Sequence, residues 1–374
     1  MAHDSRGSHG GPIRIGTVIM HHPRRAERLR ALTASFGALR PRIVRDPDPD
    51  AAPSPLRTAK RAWAAIDDDS THHLVLQDDV VPAPGFARHL HEVVAAHPDH
   101  GIAMYSHWNS PHNSYLARRG AVAGTACVPL SATEWTPTQG LVLPVAAARR
   151  LAAHLAGVPD EAQDDDEQVV VFCRREGVPV VATVPHLLDH GHDPTIVGHH
   201  GRLHSTVFAP RAAVPDGHWS TAGRLEPGPY AVELLDSRCG VRLMDREPVE
   251  HKFGWYWYDA CALTGRDPEA VLAEAAPRMG RLPGRLVRPA TEVWAAGFLL
   301  GADVASAGAP PPGGGPLTRT AVETWVDSGL SEDDHAMAGR AGRTALADLG
   351  VAAVRAGLLA ARGGLAAIGG RHAG

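Results

Sequence analysis

Four cysteines in 374 residues (Cys127, Cys173, Cys239 and Cys261) are too few and too far apart for a disulfide framework, and none forms the C-x-x-C pair of a zinc knuckle. Lysine is scarcer still: Lys60 and Lys252 are the only two, so nearly every cation is an arginine. Aspartate and glutamate total 41 against 37 lysines and arginines, a formal charge of −4. That lacks the basic excess usual in nucleic-acid binders, and no nucleic-acid partner is expected. No run reaches the ~18 apolar residues of a transmembrane helix. The polar, His/Gly-rich start, residues 1–11, has no apolar core of a signal peptide, so a cytoplasmic setting with reduced thiols is expected.

What is abundant is histidine, 23 residues in all, alongside an ordinary 44% of hydrophobic residues. Such a chain can bury a core, and at ~150 residues per domain it has the length of two domains. The histidines are either scattered over the surface or include metal ligands.

Along the chain, β-branched runs alternate with helical spacing. Strands are read at 13–20 (IRIGTVIM), 41–46, 72–81 (HHLVLQDDVV), 102–106, 139–145 and 178–184. Helices are read at 26–36, 57–67, 86–97, 146–156 and 168–176, the last closed by Gly177. This alternation predicts an α/β fold with a mixed, mainly parallel sheet flanked by helices, and a mostly helical C-terminal region. The expected divisions are a flexible tail over 1–11, the α/β domain over 12–208 and a linker over 209–229. An accessory region over 230–308, a Pro/Gly linker over 309–316 and a helical region over 317–374 follow.

Three features carry chemistry. Asp78 and Asp79 close an apolar strand, where open α/β sheets collect their ligands. Adjacent carboxylates there call for a compensating cation, although a helix cap or a solvated turn explains the pair as well. His190, with His192, His199 and His200 behind it, lies in a Gly-rich loop beyond a strand, where imidazole suits a divalent metal or simply faces solvent. The acidic run 164–167 enters a helix, where the dipole favours it, and one of its carboxylates is a candidate general base.

Five segments in order resemble the GT-A-type nucleotide-sugar glycosyltransferases, and more narrowly glycosyltransferase family 25. They are TVIMHHPRRAERLRAL (17–32), RTAKRAW (57–63), LVLQDDVVPAPGF (74–86), QGLVLPVAAARRLAAHL (139–155) and DDEQVVVFCRREGVPVVATVPHLLDHG (165–191). The resemblance covers roughly residues 13–205 and implies a GT-A-like (Rossmann-like) donor-binding domain. It further implies Mn²⁺ or Mg²⁺ held by Asp79 and His190, with Asp78 on the metal or the nucleotide ribose. Asp165 or Asp166 would be the base of an inverting transfer, and Arg24 and Lys60 the cations nearest phosphate or ribose. The donor would be a UDP-sugar and the acceptor a small molecule, a glycan or a peptide. Gln77 departs from the pattern, standing where the family usually carries an acidic residue.

Two other classes compete: a zinc or di-metal hydrolase using Asp78, Asp79, His190 and His192, and a catalytically degenerate GT-A-fold binding protein. Beyond residue 229 no segment matches a known pattern. The run FGWYWY (253–258) reads as core packing or an acceptor platform, and the Ala/Leu-rich tail (344–369) as a homodimer helix pair or a membrane-surface face.

Overall fold

The computed structural model describes residues 11–160, 164–191, 203–209, 214–221, 225, 228–244, 255–308 and 313–369, with side chains to residue 360. Residues 1–10 of the expected tail, His192, His199, His200 and Phe253 lie outside the described residues.

In chain order the elements begin β1 (Ile15–His21), α1 (Ala26–Ser35), β2 (Arg42–Arg45), α2 (Pro55–Ala64), β3 (His72–Leu76), β4 (Val80–Pro82) and α3 (Phe86–Ala96). They continue with β5 (Gly101–Ala103), α4 (Asn113–Ala123), β6 (Cys127–Pro129), β7 (Gly140–Pro144), α5 (Val145–Ala156), α6 (Asp165–Glu176), β8 (Val180–Thr183) and β9 (Leu188–His190). The C-terminal part holds the strands β10 (Tyr230–Leu235), β11 (Arg238–Leu243) and β12 (Trp255–Tyr256), then α7 (Trp257–Leu263), α8 (Pro268–Met279), α9 (Val287–Ser306), α10 (Thr318–Gly329) and α11 (Glu332–Gly369).

Seven strands form the central sheet in the order β2-β1-β3-β7-β5-β8-β6. β1 pairs parallel with β2 and β3, and β5 with β8, whereas β7 runs against β3 and β5, and β6 against β8. Five strands therefore share one direction, a mostly parallel sheet flanked by helices. Period-2 alternation sorts its side chains to two faces. Ile19, Leu74, Leu76 and Val142 pack with Phe36, Leu90 and Val93 of the α1 and α3 side. Val18, Met20, Val75, Leu141 and Leu143 pack with Trp63, Leu151 and Phe172 from α2, α5 and α6. α2 begins at a cap, the Ser54 side chain accepting from the Arg57 N–H, with Pro55 in its first turn.

One expectation is corrected. The strand read at 72–81 is two strands: β3 stops at Leu76, Gln77–Asp79 turn, and β4 pairs instead with β9, Val80 opposite His190. A continuous ladder would send the two carboxylates to opposite faces of the sheet; the turn lets both reach the Arg25 guanidinium. The segment 107–138, unassigned from sequence, contains α4 and β6. Every residue of α4 from Asn113 to Val122 is buried, so it lacks the polar stripe by which an amphipathic helix is recognised.

α4 is the seam to the C-terminal part, whose core gathers Tyr115 and Val122 with Val232, Trp294, Leu299, Trp325 and Val354. The Arg119 guanidinium lies 2.8 Å from Asp303 Oδ2 in α9, and the Tyr115 hydroxyl donates to the same oxygen at 2.7 Å. α9 and α11 touch backbone to backbone: a Cβ at Gly301 would fall 2.0 Å from the Val354 carbonyl oxygen, and one at Gly357 2.1 Å from that of Phe298. Part of the Ala/Leu-rich tail is thus covered from within the chain. No helix among the described residues is long and apolar enough to cross a membrane.

Candidate active site

The carboxyl ends of the three parallel strands β1, β2 and β3 open on one cleft of about 880 Å³, counting its mouth. His21 and His22 stand at the end of β1, Asp46 just beyond β2, and Asp78 and Asp79 just beyond β3. Across from them are His190 at the end of β9 and Asp165 and Asp166 in the first turn of α6, with Thr138 and Gln139 between.

Asp78 is committed on both oxygens. Its Oδ2 accepts from His21 Nδ1 at 2.9 Å and the His22 N–H at 2.8 Å, and its Oδ1 accepts from Arg25 Nη1 at 2.7 Å. The same Arg25 nitrogen lies 2.7 Å from Asp79 Oδ2, so one guanidinium bridges the pair. His190 Nε2 is 3.3 Å from that Asp79 oxygen, and its Nδ1 is 2.7 Å from the Gly191 carbonyl. The second Asp79 oxygen, Oδ1, is buried and has no hydrogen-bond partner.

The electrostatics follow from these contacts. Burial alone would push the Asp79 carboxyl up, but the hydrogen bond and charge of His190, with Arg25, hold it down at about 2. Burial would lower His190, yet both its ring nitrogens face oxygen acceptors and its basicity is raised. Asp46 is opposed by burial and held below the usual carboxylate range by Arg57, whose Nε and Nη2 meet it at 2.9 and 3.0 Å. The α6 pair goes the other way. Burial, eased only in part by the Thr138 hydroxyl, pushes Asp165 to about 6. Burial and the neighbouring Asp165 push Asp166 to about 7.

Five of the seven residues expected from sequence, Asp78, Asp79, His190, Asp165 and Asp166, line this cleft, and Arg24 and Lys60 do not. Residues 23–25 form a single 3-10 turn, in which Arg24 points to solvent and Arg25 inward. Lys60 is tied instead to Asp160 and the Val158 carbonyl. Compared with known proteins, the chain matches no family model and no curated sequence.

Sequence reasoning missed His21, His22, Arg25, Asp46 and Thr138. The signal was partly present: His21-His22 and Asp46 follow their strands as Asp78-Asp79 follow theirs.

A cation in this cleft would meet Asp79 and His190. Among the described residues no three His, Cys, Asp or Glu side chains are grouped to hold a metal by themselves. The unpartnered, buried Asp79 Oδ1, with His190 beside it, fits an ion that takes most of its oxygens from a bound phosphate and water, as Mg²⁺ and Mn²⁺ commonly do.

Proposed function

We propose that the protein is a metal-dependent glycosyltransferase of GT-A-like architecture, moving a sugar from a nucleotide-sugar donor, UDP-linked, to a hydroxyl or other nucleophile on an acceptor. One observation carries the reading: carboxylates of opposed protonation tendency share one cleft at the strand ends. Asp79 is held ionised beside His190 and Arg25, and Asp166 is poised at about 7. Two groups whose environments push them apart divide the labour of cation binding and proton transfer.

In this reading the Asp78–Arg25–Asp79 bridge and His190 form the wall that receives the donor's diphosphate. A divalent ion, when bound with the donor, supplies charge neutralisation for the leaving group. Asp79 and His190 would hold it. Asp166, about half ionised near neutral pH, takes the proton from the acceptor nucleophile as the new glycosidic bond forms, and the nucleoside diphosphate leaves from the opposite face of the sugar. Burial, helped by the neighbouring charge of Asp165, which Thr138 anchors, raises Asp166 into the working range. Asp46 and Arg57 brace the floor of the cleft beside His22, whose Nε2 is 3.8 Å from Asp46 Oδ2.

The test is ligand-dependent melting of the purified chain. UDP is expected to raise the melting temperature in Mn²⁺ and not in EDTA, and the Asp79→Ala variant to lose that shift while keeping its fold. No shift with any nucleoside diphosphate in Mn²⁺ would remove the reading. The hydrolase alternative uses Asp78, Asp79 and His190 of the same cleft, and its fourth residue, His192, lies outside the described residues.

A further inference from the structure

The Arg25 guanidinium stands where an incoming divalent cation has to compete. Its Nη1 is 2.7 Å from Asp78 Oδ1 and 2.7 Å from Asp79 Oδ2, and both carboxylates are nearly enclosed by protein. Asp78 is hydrogen-bonded on both oxygens, Oδ1 to Arg25 itself and Oδ2 to His21 and the His22 N–H. Asp79 offers only Oδ1, buried and without a hydrogen-bond partner. An ion on that oxygen sits within a few ångströms of the guanidinium, and like charges at that range in a partly desolvated cleft repel strongly.

We propose that Arg25 is a built-in counter-ion of the Asp78–Asp79 pair that keeps a divalent cation off Asp79 until a donor diphosphate arrives. The diphosphate brings the negative charge that lets both cations stay, and it gives the guanidinium a further acceptor. Metal and donor then enter together, and the metal alone binds poorly. The first half of this proposal concerns the ion and the chain only; the second rests on the glycosyltransferase reading.

The experiment titrates Mn²⁺ into the full chain without nucleotide, following free Mn²⁺ by electron paramagnetic resonance. Arg25→Met is expected to bind Mn²⁺ at least about tenfold tighter than wild type, a difference readily resolved in Kd. Adding Asp79→Asn to that variant is expected to abolish the gain, which separates this site from the other histidines. Arg25→Gln keeps an N–H donor for Asp78 and makes the same comparison should the methionine variant lose its fold.

Unchanged or weaker Mn²⁺ binding in the Arg25 variants overturns the proposal, as does a gain that survives Asp79→Asn. The wild-type chain supplies an arm that needs no Arg25 variant. Mn²⁺ held tightly without nucleotide, and lost on Asp79→Asn, overturns the proposal too. If UDP fails to bind under any condition, the glycosyltransferase reading falls while the Mn²⁺ comparison still decides the role of Arg25.

Discussion

His190 Nε2 lies 3.3 Å from Asp79 Oδ2, joining the turn after β3 to the end of β9 across the mouth of the cleft. The β4–β9 ribbon, with Val80 opposite His190, holds them in register. The contact gives the two groups pH-dependent contributions to stability of opposite sign.

For Asp79, whose folded value of about 2 lies below the ordinary 3.8, the contribution is present above pH ~4 and is lost as pH falls through about 2. The shift corresponds to about 2 kcal/mol. For His190, raised above 6.5, the contribution is present below that value and is lost as pH rises through the folded value. The melting temperature of Asp79→Asn is therefore expected to fall short of wild type most between pH ~4 and ~6.5, with the gap narrowing on either side. Thermal melts across pH check this, and a constant gap would show that the pair is not the source.

Asp165 and Asp166 are both raised, to about 6 and about 7, so they titrate as a pair and the rate should climb with pH through this range. Asp166→Asn is expected to lower sugar transfer by roughly 10²–10⁴-fold and to flatten that climb. Asp165→Asn removes the neighbouring charge, so the climb should move to lower pH. A pH profile of kcat/KM for the two variants distinguishes the roles. An unmoved profile in Asp165→Asn would leave Asp165 a purely structural group.

The Arg119–Asp303 pair between α4 and α9 is buried on both sides, at 1% and 7% side-chain exposure, and breaking it strands a charge. Asp303→Ala is expected to cost about 3–5 kcal/mol. Replacing both partners, Arg119→Met with Asp303→Leu, should cost clearly less, because no uncompensated charge remains buried. Urea denaturation of the two singles and the double completes the cycle, and additive losses would refute the coupling.

Much of the sheet was legible in the sequence because its central strands, such as β1 and β3, are buried on both faces and its flanking helices on one, which leaves unbroken β-branched runs and 3.6-residue spacing. Gly177, with φ +63, closes α6 where the sequence places that helix's end. α4 was illegible because it is buried all round, with Arg118 and Arg119 at 0% and 1% exposure, residues a sequence reading assigns to the surface. The choice between Arg24 and Arg25 was equally hidden. One step along a 3-10 turn rotates a side chain by about 120°, and only the position of Asp78 and Asp79 shows which arginine faces inward.

The composition itself, poor in lysine and cysteine and rich in histidine, determined that nearly every cation is arginine or imidazole and indicated no disulfide framework. The described structure agrees on the thiols, all four free. Local sequence also placed two adjacent carboxylates beside a buried strand. What neutralises them was decided by tertiary structure alone: β1, β3 and β9 converge at one end of the sheet, and charges buried together must be paired where they meet.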